Sequence, residues 1–232
     1  MSSFSAIYTG SSAAAWLRGD GVSPYSVPLA GPIGVTLAYR HLGGVQNGGE
    51  PLRKILRMDN KDPNLLVQTY QQLYKRTLDN QGTMSDSLID ENDSRLLAVP
   101  NLRGGNNPNP LIKQLRTVSR IIASQQRLGV RRQVFFISLS GFDTHSGQRG
   151  IQSRLLEQVD QTLAHFVEQM KILGMENQVT LFTASDFGRS MLTNGSGSDH
   201  GWGSHHFVVG GAVQGGRLYG QFPAFGRDVG ND

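Results

Sequence analysis

Two short apolar segments separated by one long amphipathic segment constrain this chain more than any other feature of its sequence. Residues 133–139 and 179–184 are nearly continuous runs of apolar, β-branched and aromatic side chains, the pattern of strands buried on both faces. Residues 151–173 predict a helix that Gly174 ends, with an apolar stripe of Leu155, Leu156, Val159, Leu163, Phe166, Val167, Met170 and Leu173. This order predicts a β-α-β unit with parallel strands, and therefore an α/β fold.

Two further helices are predicted before this unit. The first covers residues 62–80, with Asp62 as its N-cap and Pro63 in its first turn, and one face carries Leu65, Leu66, Thr69, Leu73 and Thr77. The second covers residues 110–128, ends at Gly129, and carries Leu111, Leu115, Val118, Ser119 and Ile122 at helical spacing.

Length and loop-forming residues define the domain organisation. A chain of 232 residues that is 38% hydrophobic can bury a core, which predicts one domain over residues 1–232. Within it, residues 1–108 are the less regular part, and residues 109–232 form a β-α-β core that carries the candidate site. Loops are predicted where Gly, Pro, Ser and Asn concentrate, at residues 19–32, 43–49 and 101–108.

The composition argues against several classes of protein. Zero cysteines exclude disulfides, thiolate nucleophiles and Cys-ligated zinc. The net charge is only +4 with scattered Lys and Arg, so no nucleic-acid partner is predicted, although an anionic substrate is compatible. No apolar run approaches the roughly 18 residues that span a bilayer. The N-terminus has no basic segment typical of a secretion signal.

Acidic and histidine residues concentrate at the ends of the predicted strands. Asp143 and His145 directly follow the first strand of the β-α-β unit, and Asp186 follows the second. Because ligands bind outside the carboxyl ends of parallel strands, we expect these groups on one edge of the sheet. Further candidates follow a glycine- and serine-rich loop at residues 194–198 and precede a predicted strand at residues 207–209: Asp199, His200, His205 and His206. Carboxylates and imidazoles together predict a site for divalent zinc, manganese or iron.

Plainer interpretations compete with the metal site. A lone Asp after a strand is commonly an N-cap or turn residue, and Thr144 or Ser146 could cap the helix that follows. A Ser-His-Asp hydrolase that uses Ser140 is conceivable, but a lone serine near an Asp and a His has little specificity. The sequence contains no Gly-x-Ser-x-Gly elbow, His-Glu-x-x-His motif or Walker A loop. His165, on the polar side of the long helix, is expected to be solvated.

A wider set of motifs runs through the second half of the chain. It consists of residues 141–145, 185–189, 199–201, 206–211 and 215–220, together with Asn194. In combination these motifs resemble the bacterial domain-of-unknown-function 1501 family, and the resemblance covers residues 95–232 well. That family looks related to the alkaline phosphatase and sulfatase superfamily. The resemblance implies a three-layer α/β/α sandwich with a mostly parallel central sheet. Members are exported, often with a twin-arginine signal, which implies a periplasmic or secreted full-length parent.

The resemblance also implies roles for the candidate residues. Two divalent metal ions are implied, with ligands from Asp143, His145, Asp186, Asp199, His200 and one of His205 or His206. Asp199 is either a direct ligand or the residue that orients His200. Arg189 either contacts a substrate oxyanion or forms a surface ion pair. The implied function is metal-dependent hydrolysis of small phosphate or sulfate esters. The alternative is a non-catalytic protein of the same fold that recognises a polysaccharide or a partner protein.

The sequence departs from the family pattern at both ends. An early strand that ends in a Gly-Gly-x-Asp-Gly type motif is expected before the matched region. Residues 18–21 and 103–106 resemble that motif superficially, but neither follows a convincing buried strand. Family members also continue beyond residues 226–232. We therefore expect an incomplete domain, an internal fragment that lacks the nucleophile and one metal ligand and is inactive alone.

Overall fold

The fold is known from a computed structural model that describes residues 4–9, 17–20, 23–29, 64–102 and 105–221. Its elements are, in chain order, β1 (Ala6–Thr9), β2 (Tyr25–Val27), α1 (Leu65–Ser87), α2 (Pro110–Ala123), β3 (Val134–Phe136), α3 (Gln148–Ile172), β4 (Leu181–Phe182), β5 (Gly188–Thr193), β6 (Ser198–Gly201) and β7 (Val208–Val209). This mixture of helices and strands confirms the α/β class. No helix in the described ranges is both long enough and apolar enough to cross a membrane.

The chain divides into two compact units. Unit 1 comprises Met1–Asp93 and Arg116–Ser138, and unit 2 comprises Ser94–Leu115 and Leu139–Asp232. The predicted organisation, a single partial domain with its site-bearing core at residues 109–232, stays a prediction.

Unit 1 contains a parallel sheet of three strands in the order β2-β1-β3. Ile7 in the central strand lies opposite Tyr25 in β2 and Phe135 in β3. Sequence analysis missed β1 and β2, and β2 lies inside the predicted loop at residues 19–32. Prolines flank β2, and an edge strand tolerates them because one of its sides makes no ladder hydrogen bonds. The β-branched and aromatic side chains of β1 were the available signal.

The core of unit 1 joins this sheet to both of its helices. Its buried members are Phe4, Ile7, Val27, Met84, Ile121, Leu128 and Val130. Met84 comes from α1 and Ile121 from α2, and both side chains are fully shielded from water. Burial of an apolar side chain of this size stabilises a fold by about 1.5–3 kcal/mol. Apolar packing is therefore what holds the sheet and the helices of this unit together.

Helix α1 is longer than predicted and buries a different face. Asn64 is its N-cap, with Oδ1 accepting the N–H of Leu66 at 2.9 Å. The predicted cap residues Asp62 and Pro63, like the predicted loop at residues 43–49, lie outside the described residues. The predicted apolar face is largely exposed, since Leu65, Leu66 and Leu73 keep 73%, 78% and 63% of their surface. The buried side chains belong to the second half of the helix: Leu78, Met84 and Ser87.

Helix α2 confirms the prediction more closely. It begins at Pro110 and ends at Ala123, five residues earlier than predicted, and turns follow as far as Gly129. Gly129 has a positive φ of 63°, as expected of a residue that closes a helical segment. All of the predicted core residues of this helix are buried: Leu111, Leu115, Val118, Ser119 and Ile122.

Helix α3 is confirmed, but the strands around it are arranged differently from the prediction. The helix begins at Gln148, and Gly174, with a φ of 66°, follows its end. Strand β3 lies in the parallel sheet, whereas β4 pairs antiparallel with β7, so the two strands do not share a sheet in the described part of the chain. The predicted parallel pairing is therefore wrong there. Neither strand is buried on both faces, since Val134 and Phe182 are 57% and 69% exposed.

Strands β5 and β6 form a hairpin that the sequence analysis did not predict. Gly188 lies opposite Gly201, and Arg189 lies opposite His200. A Cβ on Gly201 would approach the backbone nitrogen of Ser190 to 2.5 Å, so only glycine permits this close pairing. The predicted loop at residues 194–198 forms the turn. Within it, the Oδ1 of Asn194 accepts the N–H of Gly197 at 2.8 Å. We call Gly188–Gly201 the site hairpin.

Candidate metal centre

Three of the predicted metal ligands come together in unit 2. Asp143 and His145 lie in the segment between β3 and α3, and His200 lies in β6 of the site hairpin. The Oδ1 of Asp143 is 3.1 Å from the Nε2 of His145 and 2.7 Å from the Nε2 of His200. One ligand atom from each residue lies within 4.8 Å of the others. One carboxylate oxygen and two imidazole nitrogens therefore converge on one point of the surface.

The chemistry of this group fits a divalent ion. Ligands that bind zinc at about 2.0–2.2 Å in a tetrahedron are separated by about 3.3 Å. The two oxygen-to-nitrogen separations, 2.7 and 3.1 Å, are shorter than this, so the side chains would move apart by about 0.2–0.6 Å to hold an ion. All three side chains are exposed, so water and a ligand can reach them. A mixed set of one carboxylate and two imidazoles suits zinc, manganese or iron.

Asp199 lies beside this group and contacts the ring of His145. Its Oδ1 is 3.2 Å from the Nδ1 of His145. The imidazole that it contacts is that of His145, and its predicted role as a ligand or as the residue that orients His200 stays a prediction. When Nδ1 carries the proton that Asp199 accepts, the Nε2 lone pair of His145 is available to a metal ion.

The ring of His200 is held in place by an aromatic neighbour. The ring of Phe187 stacks on it with centroids 3.8 Å apart and planes 10° from parallel. The His145 ring is 5.1 Å away from the His200 ring, tilted by 31°. The hydrogen bond with His200 holds the pKa of Asp143 below its ordinary value of 3.8, and the charges of both imidazoles act in the same direction. The contacts with both histidines therefore favour the anionic form of Asp143.

The remaining predicted ligands lie outside this group. Asp186 is exposed just before β5, and His205 is exposed just before β7. His206 is also exposed, with Nδ1 3.4 Å from the Oγ1 of Thr183 and Nε2 3.1 Å from the Oγ of Ser204. Their roles as metal ligands stay predictions.

The guanidinium of Arg189 donates hydrogen bonds to other residues of unit 2. Its Nη1 donates to the carbonyl oxygen of Ser198 at 2.6 Å, and its Nη2 donates to the carbonyl oxygen of Phe142 and to the Oγ1 of Thr144, the latter at 3.2 Å. The predicted contact between Arg189 and a substrate oxyanion stays untested, but most of the arginine's donors already serve backbone and hydroxyl groups.

Two plainer interpretations concern α3: that Thr144 or Ser146 caps it, and that His165 within it is solvated. Neither Thr144 nor Ser146 is the N-cap of α3, which is Gly147. The backbone amides at this end of the helix bond to Ser196 in the turn of the site hairpin. The N–H of Gly147 donates to the Oγ of Ser196 at 2.9 Å, and the N–H of Gln148 donates to its carbonyl oxygen at 3.2 Å. His165, predicted to be solvated, is only half-buried and has Nε2 3.1 Å from the carbonyl oxygen of Ala98.

The sequence motifs gave no structural role to the residues that join the site hairpin to the segment bearing Asp143 and His145. The Nδ2 of Asn194 donates to the carbonyl oxygen of His145 at 3.0 Å, and the Oε1 of Gln148 accepts the N–H of Ser198 at 2.6 Å. The dipeptide Asn194-Gly195, a common hairpin signal, could have revealed the turn. The polar partners of the turn carry no comparable signal.

One known protein family matches the part of the chain that contains this site. The family described as "Protein of unknown function (DUF1501)" matches residues 52–232. The chain belongs to this family. The match includes all of the residues of the candidate metal centre and both strands of the site hairpin. Neither the curated proteins nor the solved structures contain a match to the chain.

Proposed function

We propose that this DUF1501 chain carries the metal centre of a metal-dependent hydrolase of phosphate or sulfate esters. The observation that carries the proposal is the convergence of the Asp143 Oδ1 with the Nε2 atoms of His145 and His200. The carboxylate of Asp143 would supply an anionic ligand, since an Asp side chain is ionised at neutral pH. The ester class comes from the resemblance to the alkaline phosphatase and sulfatase superfamily. The parallel sheet of unit 1 is compatible with the sandwich fold of that superfamily.

The side chains around the centre have separable tasks in this proposal. Asp143, His145 and His200 would hold a divalent ion, and a bound ion supplies Lewis-acid chemistry that draws charge from ester oxygens and makes attack by water easier. Asp199 keeps the proton of His145 on Nδ1 and so leaves Nε2 to the ion. Phe187 fixes the plane of the His200 ring.

The second metal ion implied by the family resemblance is part of the same proposal. Its ligands would come from Asp186, His205 or His206, which lie outside the group of three. The number of ions bound per chain therefore separates a one-metal centre from a two-metal centre.

The test is metal binding by the purified chain, measured by calorimetry with Zn²⁺ and Mn²⁺ and by elemental analysis. We expect Asp143→Ala and His200→Ala to weaken binding by more than the roughly 10–100-fold that loss of a supporting partner costs. His165→Ala, which removes a histidine distant in sequence from the ligands, is the matched control and should bind normally. A wild-type chain that holds no divalent ion, or ligand variants that bind as tightly as wild type, would contradict the metal centre.

Hydrolysis is tested separately with aryl phosphate and aryl sulfate esters, on this chain and on a longer protein that supplies the expected nucleophile. Turnover by the longer protein that disappears with chelator and in Asp143→Ala is the expected result. Turnover that survives both would exclude the metal centre from the reaction.

One observation favours the alternative, a binding protein of the same fold for a polysaccharide. Trp202, directly after β6, leaves 59% of its surface exposed, and exposed aromatic rings commonly stack on sugar faces. Calorimetry with soluble polysaccharides, with and without chelator, separates the candidates. Metal-independent binding that Trp202→Ala abolishes would favour recognition over hydrolysis.

A further inference from the structure

Arg189 connects the two segments that supply the metal ligands. Its donors reach the carbonyl oxygen of Phe142 and the hydroxyl of Thr144 on one segment, and the carbonyl oxygen of Ser198 on the site hairpin. Phe142 and Thr144 are the immediate neighbours of Asp143 on either side. The side chain of Thr144 is buried, although Asp143 and His145 beside it are exposed. The arginine therefore contacts the residues on both sides of an exposed ligand, through the backbone of Phe142 and the side chain of Thr144.

Arg189 is also connected to His200, through the ring of Phe187. It lies opposite His200 in the hairpin register, and its Cζ is 5.2 Å from the centroid of the Phe187 ring. The same ring stacks on His200. A cation near an aromatic ring attracts it, so Arg189 helps to hold the ring that supports His200. One side chain thus contacts the supports of both Asp143 and His200.

We propose that Arg189 is a positioning residue that sets the distance between Asp143 and His200 by joining residues 142–144 to the site hairpin. Hydrogen bonds in fixed directions from two nitrogens suit a planar guanidinium, whereas lysine would have to reach all three acceptors from a single nitrogen. The effect on metal affinity rests on the proposed function. The joining of the two segments does not, because the structural contacts exist without a metal ion.

Metal affinity is the first readout. Against Zn²⁺ and Mn²⁺, Arg189→Ala is expected to raise the dissociation constant by about 10–100-fold, the usual cost of losing a group that orients metal ligands. Arg189→Lys keeps the charge but should not restore affinity, and it serves as the second variant if the alanine variant fails to fold. Arg154→Ala, which removes an exposed arginine of α3, is the control and should bind as wild type does. Wild-type affinity in Arg189→Lys and Arg189→Ala would overturn the proposal.

Amide hydrogen exchange is the second readout and needs no metal ion. The amides of Gly147 and Gln148 bond to Ser196 of the site hairpin, so they exchange faster when the hairpin separates from this segment. Faster exchange of these two amides in the Arg189 variants, with unchanged exchange in the second half of α3, supports the proposal. Should the wild-type chain bind no metal, this result would retain the role of Arg189 and reject only the proposed function. Unchanged exchange would overturn the role of Arg189.

Discussion

Units 1 and 2 differ in what fills their interiors. Among the described residues of unit 1, the larger fully buried side chains are Ile7, Val27, Leu78, Met84 and Ile121. Two small polar side chains, Ser119 and Ser124, are buried to the same degree. Unit 2 has Ile112 in this class, but its other members are polar: Asn109, Thr162 and Gln169. The amide of Gln169 bridges the N–H of Leu97 and the carbonyl oxygen of Arg95, both at 2.8 Å.

This difference matters because the two kinds of interior fix structure differently. Apolar packing is non-directional, and it stabilises unit 1 through the area that it removes from water. Buried hydrogen bonds are directional and costly to leave unmade, so they specify one arrangement of the segments they join. Asn109 shows this in unit 2, where its Oδ1 caps α2 at the N–H of Leu111 and its Nδ2 donates to the carbonyl oxygen of Gln158 in α3. Unit 2, which bears the metal centre, therefore adds directional polar contacts to an apolar core whose buried members are Leu96, Leu111, Ile112, Leu115, Leu155, Phe166 and Met170.

Truncation of the apolar core of unit 1 should have the largest effect. Ile121→Ala removes a fully buried side chain and leaves a cavity, so we expect the free energy of unfolding to fall by about 2–5 kcal/mol. Chemical denaturation measures this loss. Leu73→Ala, at a leucine that is 63% exposed in α1, is the control and should change stability by less than about 0.5 kcal/mol. Equal losses in the two variants would mean that the core of unit 1 is misidentified.

Removal of a buried amide from unit 2 sharpens the comparison. Gln169→Leu keeps the volume but leaves the N–H of Leu97 and the carbonyl oxygen of Arg95 without this partner, which should cost about 1–3 kcal/mol. The exposed neighbour Glu168, whose ion pair with Lys171 is worth little, provides the control Glu168→Gln. If the leucine variant is as stable as wild type, the polar interior of unit 2 is not what holds it.

The smallest effect concerns the protonation of Asp143. Its pKa is lower in the folded chain than the ordinary 3.8, so between these two values the unfolded chain holds more protons. The contribution of Asp143 to stability is therefore present above pH 3.8 and lost as the pH falls through the folded pKa. Carboxyl NMR titration should give a midpoint below 3.8 that rises in His200→Ala. A midpoint that does not respond to this substitution would show that His200 is not the cause.

Periodicity made the helices predictable, and its limits explain what was missed. The stripe in residues 151–173 predicted α3 to within three residues at its start, since a long 3.6-residue period belongs to a helix alone. The short apolar runs were less informative, because a run of apolar residues carries no information about its hydrogen-bonding partner. Only residues 134–136 and 181–182 became strands. The site hairpin was missed because its strands are largely polar and exposed and lack an alternating pattern.

The candidate ligands show the same division. The sequence by itself determined the chemistry of the site, because carboxylates and imidazoles beside glycine-rich segments are visible in the chain. Only the tertiary structure decided that Asp143 meets His145 and His200, that Asp199 turns to His145, and that Arg189 turns toward the backbone. Asp143 and His200 are 57 residues apart, and no local period relates them. Their meeting depends on hydrogen bonds that Arg189 and Asn194 donate to residues 142–145 and that Ser196 accepts from the N–H groups of residues 147 and 148. These bonds form only once the site hairpin lies against that segment.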